Sequence, residues 1–116
     1  MKVHLSAQGF ELNTELDKYV SKKVAQIGRH VPRKAKAESV CDVQFTQAER
    51  KGVKYSTCAI TFSFDNVELK AEESTQHMYA ALDIAAVRIE QQLEDFVKRQ
   101  KKHRVRSTLR RHFGSQ

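Results

Sequence analysis

Apolar and polar residues alternate along four stretches of the chain, and each alternation predicts a β-strand with one buried and one wet face. The third and fourth stretches are joined by Asp65-Asn66, a dipeptide typical of tight hairpin turns. A longer link, from Gln47 to Lys54, separates the second stretch from the third. The alternating stretches are residues 2–6, 41–46, 57–64 and 67–72.

Two further segments repeat apolar residues every three or four positions, which predicts amphipathic helices. The first helix is expected to begin after Asn13, whose side chain can cap it, and to end near Gly28. Residues 29–36 are predicted as a basic loop. The second helix is expected to begin after Thr75, and nothing in the sequence breaks it before Lys102.

The order of these elements predicts an α+β fold. We expect a β-α-β-β-β-α two-layer sandwich with a four-stranded mixed sheet and both helices on one face, a dsRBD-like arrangement. The length of 116 residues fits one domain, expected over residues 1–103. Residues 104–116 have weak periodicity and are expected to form a basic, flexible C-terminal tail.

The wet face of the sheet is predicted to lack aromatic side chains. Sheets that bind single-stranded RNA stack bases on such side chains. Phe45, Phe62 and Phe64 instead fall on the buried side. We therefore do not expect the sheet to bind bases. The positions predicted to face water are His4, Gln44, Thr46, Thr57, Thr61, Glu68, Lys70 and Glu72.

Positive charge is concentrated near the C-terminus. The chain carries a net charge of +7, but residues 1–95 hold 13 basic and 14 acidic residues, whereas residues 96–116 hold 8 basic residues and no acid. This asymmetry indicates a polyanionic partner, either nucleic acid or an anionic membrane surface, with a solubilising tail as the alternative. If the two helices lie side by side, their basic side chains form one surface suited to RNA phosphates. The candidate RNA-binding residues are Lys22, Lys23, Arg29, Arg88, Lys98, Arg99, Lys101, Lys102 and Arg104.

The sequence contains no arrangement typical of a catalytic or metal site. We therefore expect no enzyme activity, no cofactor, no metal and no small-molecule substrate. Cys41 and Cys58 are expected to be reduced core thiols of a cytoplasmic protein, with a disulfide between neighbouring strands as the alternative. No apolar run is long enough to cross a membrane, and no secretory signal is present, so we expect no membrane partner.

Residues 71–83 have the sequence Ala-Glu-Glu-Ser-Thr-Gln-His-Met-Tyr-Ala-Ala-Leu-Asp. This segment resembles the signature of the ribosome hibernation promoting factor and ribosome-associated inhibitor family, also called the sigma-54 modulation protein / ribosomal protein S30EA family. Glu11 to Leu16 and the pair Gln92-Leu93 add to the resemblance, which spans residues 2–102. By position, Tyr79 and Asp83 match the signature, while Lys23 and Arg88 match basic positions of the family's helices.

The resemblance implies a ribosome-binding domain. Members dock on the small (30S) subunit at the decoding region, contact 16S rRNA, and overlap the mRNA and tRNA positions, which inhibits translation in stationary phase or stress. The chain is too short for the dimerisation domain of long members, so we expect a monomer off the ribosome. Its basic C-terminus differs from the acidic one of short inhibitors, which leaves the subtype open.

Two other interpretations remain open at this stage. The same basic helices would suit a generic structured-RNA-binding or ribosome-assembly protein. A protein-binding regulator of transcription is the third interpretation.

Overall fold

The computed structural model describes the backbone of residues 1–113 and the side chains of residues 1–102. It confirms the α+β class and the predicted order of strands and long helices, to which it adds one short helix. The elements are β1 (Lys2–Gln8), α1 (Thr14–Gly28), α2 (Arg33–Lys36), β2 (Val40–Arg50), β3 (Val53–Phe64), β4 (Val67–Thr75) and α3 (Met78–Phe113).

The four strands form one mixed sheet in the order β1-β2-β3-β4. β1 runs parallel to β2, and the other neighbours are antiparallel. Asp65 and Asn66 form the predicted turn, with φ of 44° and 63°. The link predicted from Gln47 to Lys54 is wrong, because β2 and β3 stay paired up to Arg50 and Val53. Only Lys51 and Gly52 turn there, with φ of 51° and 78°, as a two-residue hairpin requires.

Both long helices cover the same face of the sheet, as predicted. The largest buried side chains of the sheet include Phe45 and Phe62, and they meet apolar residues of both helices in one core. Three alanines of α3 are at most 1% exposed, and their small side chains let the helix lie close to the sheet. These alanines are Ala81, Ala85 and Ala86.

The ends of the helices follow the predicted caps in part. Asn13 caps α1, since its Oδ1 accepts a hydrogen bond of 2.8 Å from the Leu16 N–H. The helix predicted after Thr75 begins only at Met78, because the Thr75 Oγ1 accepts from the His77 N–H while Thr75 still belongs to β4. The basic loop predicted for residues 29–36 contains α2, which starts directly after Pro32.

The last helix continues past the predicted domain boundary at 103. The backbone of α3 is helical through Phe113, whereas the sequence suggested an end near Lys102. Residues 114–116 lie outside the described residues. The flexibility expected of residues 104–116 stays a prediction.

The face of the sheet away from the helices is polar, with one exception. Six of the eight positions predicted to face water are exposed, and Thr57 and Thr61 are half-buried. Tyr55 also lies on this face, opposite Ala48, because β3 begins earlier than predicted. The expectation of a face without aromatic residues is therefore wrong at this position.

Cys41 and Cys58 are free thiols at 0% exposure. They lie on neighbouring strands but pair in register with Phe62 and Phe45, not with each other. Burial raises the pKa of each thiol from 9.0 to about 12, so both stay protonated at neutral pH. No helix within the described part of the chain is both long and apolar enough to span a membrane.

Candidate nucleic-acid interface

The helices α1 and α3 lie side by side and run in the same direction. Their polar contacts follow the same order along the chain, first Lys23 of α1 with Asp83 of α3, and then His30, just after the end of α1, with Glu90 and Glu94 of α3. The arrangement predicted from the basic residues, two neighbouring helices with outward faces on one side, is therefore present.

Two aromatic rings and one ion pair join the middle of α1 to the first two turns of α3. The Tyr19 hydroxyl donates a hydrogen bond of 2.7 Å to the Asp83 Oδ1, and the Lys23 Nζ lies 3.1 Å from the same oxygen. The Lys23 Nζ is also 5.4 Å from the centre of the Tyr19 ring. The Tyr79 ring meets that of Tyr19 edge to face, with centroids 4.9 Å apart. We call Tyr19, Lys23, Tyr79 and Asp83 the helix clasp.

The carboxylate at the centre of the helix clasp raises the pKa of both of its hydrogen-bond donors. Donating a hydrogen bond to the Asp83 carboxylate raises the pKa of Tyr19, and burial of the phenol raises it further. The hydrogen bond to Asp83 also raises the pKa of Lys23, against the opposing effect of burial. At neutral pH the lysine is therefore a cation and the phenol is neutral.

A second set of contacts joins α3 to the edge strand β4. Arg88 lies 2.9 Å from a Glu73 carboxylate oxygen, and its Nη1 is 3.4 Å from the Glu72 carbonyl oxygen. The Gln92 Nε2 donates to the Lys70 carbonyl oxygen at 2.9 Å. These side chains cover backbone groups that an edge strand otherwise leaves open to another chain.

The predicted RNA-binding residues thus divide into two classes. Lys23 and Arg88 have acidic partners inside the protein. Six others are exposed and form no ion pair among the described side chains, which leaves their charge free for an outside partner. The side chain of Arg104 lies outside the described residues. The six are Lys22 and Arg29 of the α1 side and Lys98, Arg99, Lys101 and Lys102 of α3.

Acidic residues interrupt this cationic surface along the seam between the helices. His30 lies 3.9 Å from a Glu90 carboxylate oxygen and 3.5 Å from one of Glu94. Asp95 is exposed on α3, the helix that also carries Glu90 and Glu94. The cations of α1 and those at 98–102 are therefore two groups rather than one continuous ridge.

Sequence reasoning missed two features of this surface. Arg33 and Lys34 of α2 are exposed beside α3 and line a cleft with Lys101, so they extend the positive charge. The basic composition of residues 29–36 could have indicated them. The hydrogen bond between Tyr19 and Asp83 joins positions 64 residues apart, and no local pattern predicts such a contact.

The model of the family described as Sigma 54 modulation protein / S30EA ribosomal protein matches residues 3–101. The chain belongs to this family. The family resemblance seen in residues 71–83 is confirmed, and as a member of the S30EA family the chain is a ribosome-associated factor.

Solved structures share the fold of this chain, and 26 of their chains match it. The N-terminal domain of Protein Y from Thermus thermophilus is 24% identical, with a TM-score of 0.69 over 83% of this chain and 99% of that one. A ribosomal subunit interface protein from Coxiella burnetii is 17% identical, with a TM-score of 0.66 over 84% of this chain and 99% of that one. No curated protein matches the sequence.

Proposed function

We propose that this chain is a hibernation factor that binds the small ribosomal subunit at the decoding region and inhibits translation in stationary phase or stress. The observation that supports the proposal best is the set of exposed cations that have no acidic partner among the described side chains, Lys22 and Arg29 on one side and Lys98, Arg99, Lys101 and Lys102 on the other. The factor acts in the cytoplasm and is a monomer off the ribosome.

The chemistry of the surface favours phosphate over base recognition. Exposed lysine and arginine side chains bind phosphate oxygens of folded RNA without selecting a sequence. The polar face of the sheet carries the single aromatic residue Tyr55 near its end, which is too few for a stacking platform. We therefore assign 16S rRNA as the partner and the helices as the binding face.

The helix clasp has a defined part in this mechanism. It fixes α1 against α3 before the ribosome is met, so the cations of both helices keep their spacing. A surface that is ordered in advance loses less conformational entropy on binding. Inhibition then follows from occupancy, since a protein in the decoding channel excludes mRNA and tRNA.

Co-sedimentation with purified small subunits tests the proposal. The full-length protein is expected to move with the subunits at low salt and to leave them at high salt, because bound phosphates release counterions. Addition of the protein to a cell-free translation reaction is expected to lower its output. Failure to sediment with small subunits at low salt would rule the proposal out.

A matched pair of variants locates the binding face. Replacing Lys98, Arg99 and Lys102 by alanine is expected to weaken binding at least tenfold, since each cation neutralises phosphate charge. The control replaces Arg50, Lys51 and Lys54, three exposed cations of the β2–β3 hairpin, and is expected to bind as the parent does. Equal weakening in both variants would contradict a binding face on the helices.

Competition separates this proposal from a generic RNA binder. A short A-form RNA duplex in excess is expected to leave most of the protein on small subunits. If the duplex displaces the protein from bound subunits as effectively as unlabelled free subunits do, the protein recognises structured RNA in general. Survival of a complex after nuclease treatment would instead indicate a protein partner.

A further inference from the structure

A cleft opens where α3 passes the end of the sheet, away from the helix clasp. Its volume is about 590 Å³, within the range of pockets that hold small organic groups. Apolar side chains from four elements form its floor. They are Ala35 of α2, Phe64 and Val67 at the β3–β4 turn, and Phe96 and Val97 of α3.

The floor of the cleft contains an aromatic pair. Phe64 is buried, while Phe96 is half-buried and meets it edge to face, with ring centroids 5.3 Å apart. Val97 is also half-buried. The cleft therefore presents apolar and aromatic surface to an incoming group without any rearrangement of the core.

The rim of the cleft is cationic. Arg33, Lys34 and Lys101 line it and are exposed, and none forms an ion pair within the described part of the chain. Asp65 is the single acidic residue among the lining residues. An occupant of this cleft must be flat or apolar at its centre and negatively charged at its edge.

We propose that the cleft receives one unstacked base of the RNA that the helices bind. A nucleotide has the required chemistry, because its base is a flat aromatic group and phosphates flank it on both sides. The base would contact Phe96 and Val97, and the flanking phosphates would meet Arg33, Lys34 and Lys101. This inference rests on the proposed function and adds a base contact to a surface otherwise limited to phosphates.

The position of the cleft supports RNA over an acidic peptide as the occupant. Lys101 belongs both to the rim and to the cationic stretch of α3 at residues 98–102. A strand of RNA bound along that stretch would pass the mouth of the cleft. No second binding surface is then needed to bring the base into place.

Two labelled RNA hairpins test the proposal, one with a single extruded adenosine and one with an abasic site at that position. The full-length protein is expected to bind the adenosine hairpin roughly five- to a hundredfold more tightly, the range for one stacked base. In NMR spectra, the methyl resonances of Val97 are expected to shift only with the adenosine hairpin. Those of Val87, exposed on the same helix outside the cleft, are expected to respond equally to both hairpins.

A pair of valine variants provides the control. Val97→Trp fills the cleft and is expected to bring the ratio of the two affinities close to one, whereas Val87→Trp should keep it. Equal affinity of the unmodified protein for both hairpins would overturn the proposal. An acidic peptide containing phenylalanine that displaces the adenosine hairpin from the cleft, at a lower concentration than unlabelled hairpin needs, would also overturn the proposal.

These outcomes are independent of the test by sedimentation. A protein that sediments with small subunits but does not distinguish the hairpins retains its proposed function and loses the base contact. A protein that does not sediment at all fails at the earlier step.

Discussion

At the scale of single residues, Asp83 has the clearest structural role on the helix surface. Its carboxylate oxygen holds both the Tyr19 hydroxyl and the Lys23 ammonium. Tyr79, one residue from the start of α3, completes the contact through the Tyr19 ring. Tyr79 and Asp83, which the sequence is predicted to share with the family signature, therefore join the two helices in this protein, and a direct contact with RNA is not needed to explain them.

Replacing Asp83 by asparagine tests the helix clasp. The change removes the charge that attracts Lys23, and the free energy of unfolding is expected to fall by about 1 kcal/mol, the scale of a partly exposed ion pair with a hydrogen bond. Urea denaturation measures the loss. Asp95→Asn is the control, because Asp95 is exposed and has no ion-pair partner among the described side chains. Equal losses in the two variants would contradict the clasp.

The buried thiols are expected to make the free energy of unfolding depend on pH in the alkaline range. The pKa of Cys41 and that of Cys58 are raised to about 12 in the folded protein, against 9.0 for an ordinary thiol. Above pH 9 the unfolded chain loses these protons while the folded chain keeps them, so stability is expected to fall as the pH rises from 9 to 12. Below pH 9 this contribution is fully present.

Thiol reactivity checks the burial that raises these two pKa values. Ellman's reagent at pH 8 is expected to leave both cysteines unmodified in the folded protein and to modify both after unfolding in guanidinium chloride. Rapid reaction in the folded state would show that the thiols are accessible, contrary to their burial.

At the scale of elements, the sequence predicted whatever depends on a repeating apolar pattern. The cores of the strands and the stripes of both long helices came from such repeats. The end of the β2–β3 hairpin was missed because Ala48 to Arg50 carry no apolar alternation, and pairing with β3 alone keeps them extended. The short α2 was missed because Pro32 looks like a breaker, although its φ of −56° suits the start of a helix.

The close approach of α3 to the sheet depends on its alanines, and Ala85→Leu tests this. Ala85 is fully buried, so a larger side chain would push the helix away from the sheet. The expected loss of stability is about 1–3 kcal/mol. Ala25→Leu on α1, where the side chain is exposed, is expected to change the unfolding midpoint little. A stable Ala85→Leu protein would show that the helix has room to move.

At the scale of the whole molecule, the candidate RNA-binding cations with described side chains lie on the helix side, while Arg50, Lys51 and Lys54 form a separate exposed group on the β2–β3 hairpin. The acids Glu90 and Glu94 lie along the helix seam, and on the opposite sheet face Lys70 is paired with Glu68. The sequence indicates where positive charge concentrates, because residues 96–116 contain no acid, and the role of these cations in RNA binding stays a prediction. The sequence could not predict which basic residues have acidic partners inside the protein, since those contacts depend on side chains that only the fold brings together.

The salt dependence of binding to small subunits tests the central claim most directly. The dissociation constant of the full-length protein, measured across a series of potassium chloride concentrations, gives a slope that reports the number of phosphates bound. We predict that replacing Lys98, Arg99 and Lys102 by alanine reduces the magnitude of this slope by about 2 to 3, while replacing Arg50, Lys51 and Lys54 leaves it unchanged. The same slope in the parent and in the Lys98, Arg99 and Lys102 variant would contradict the account.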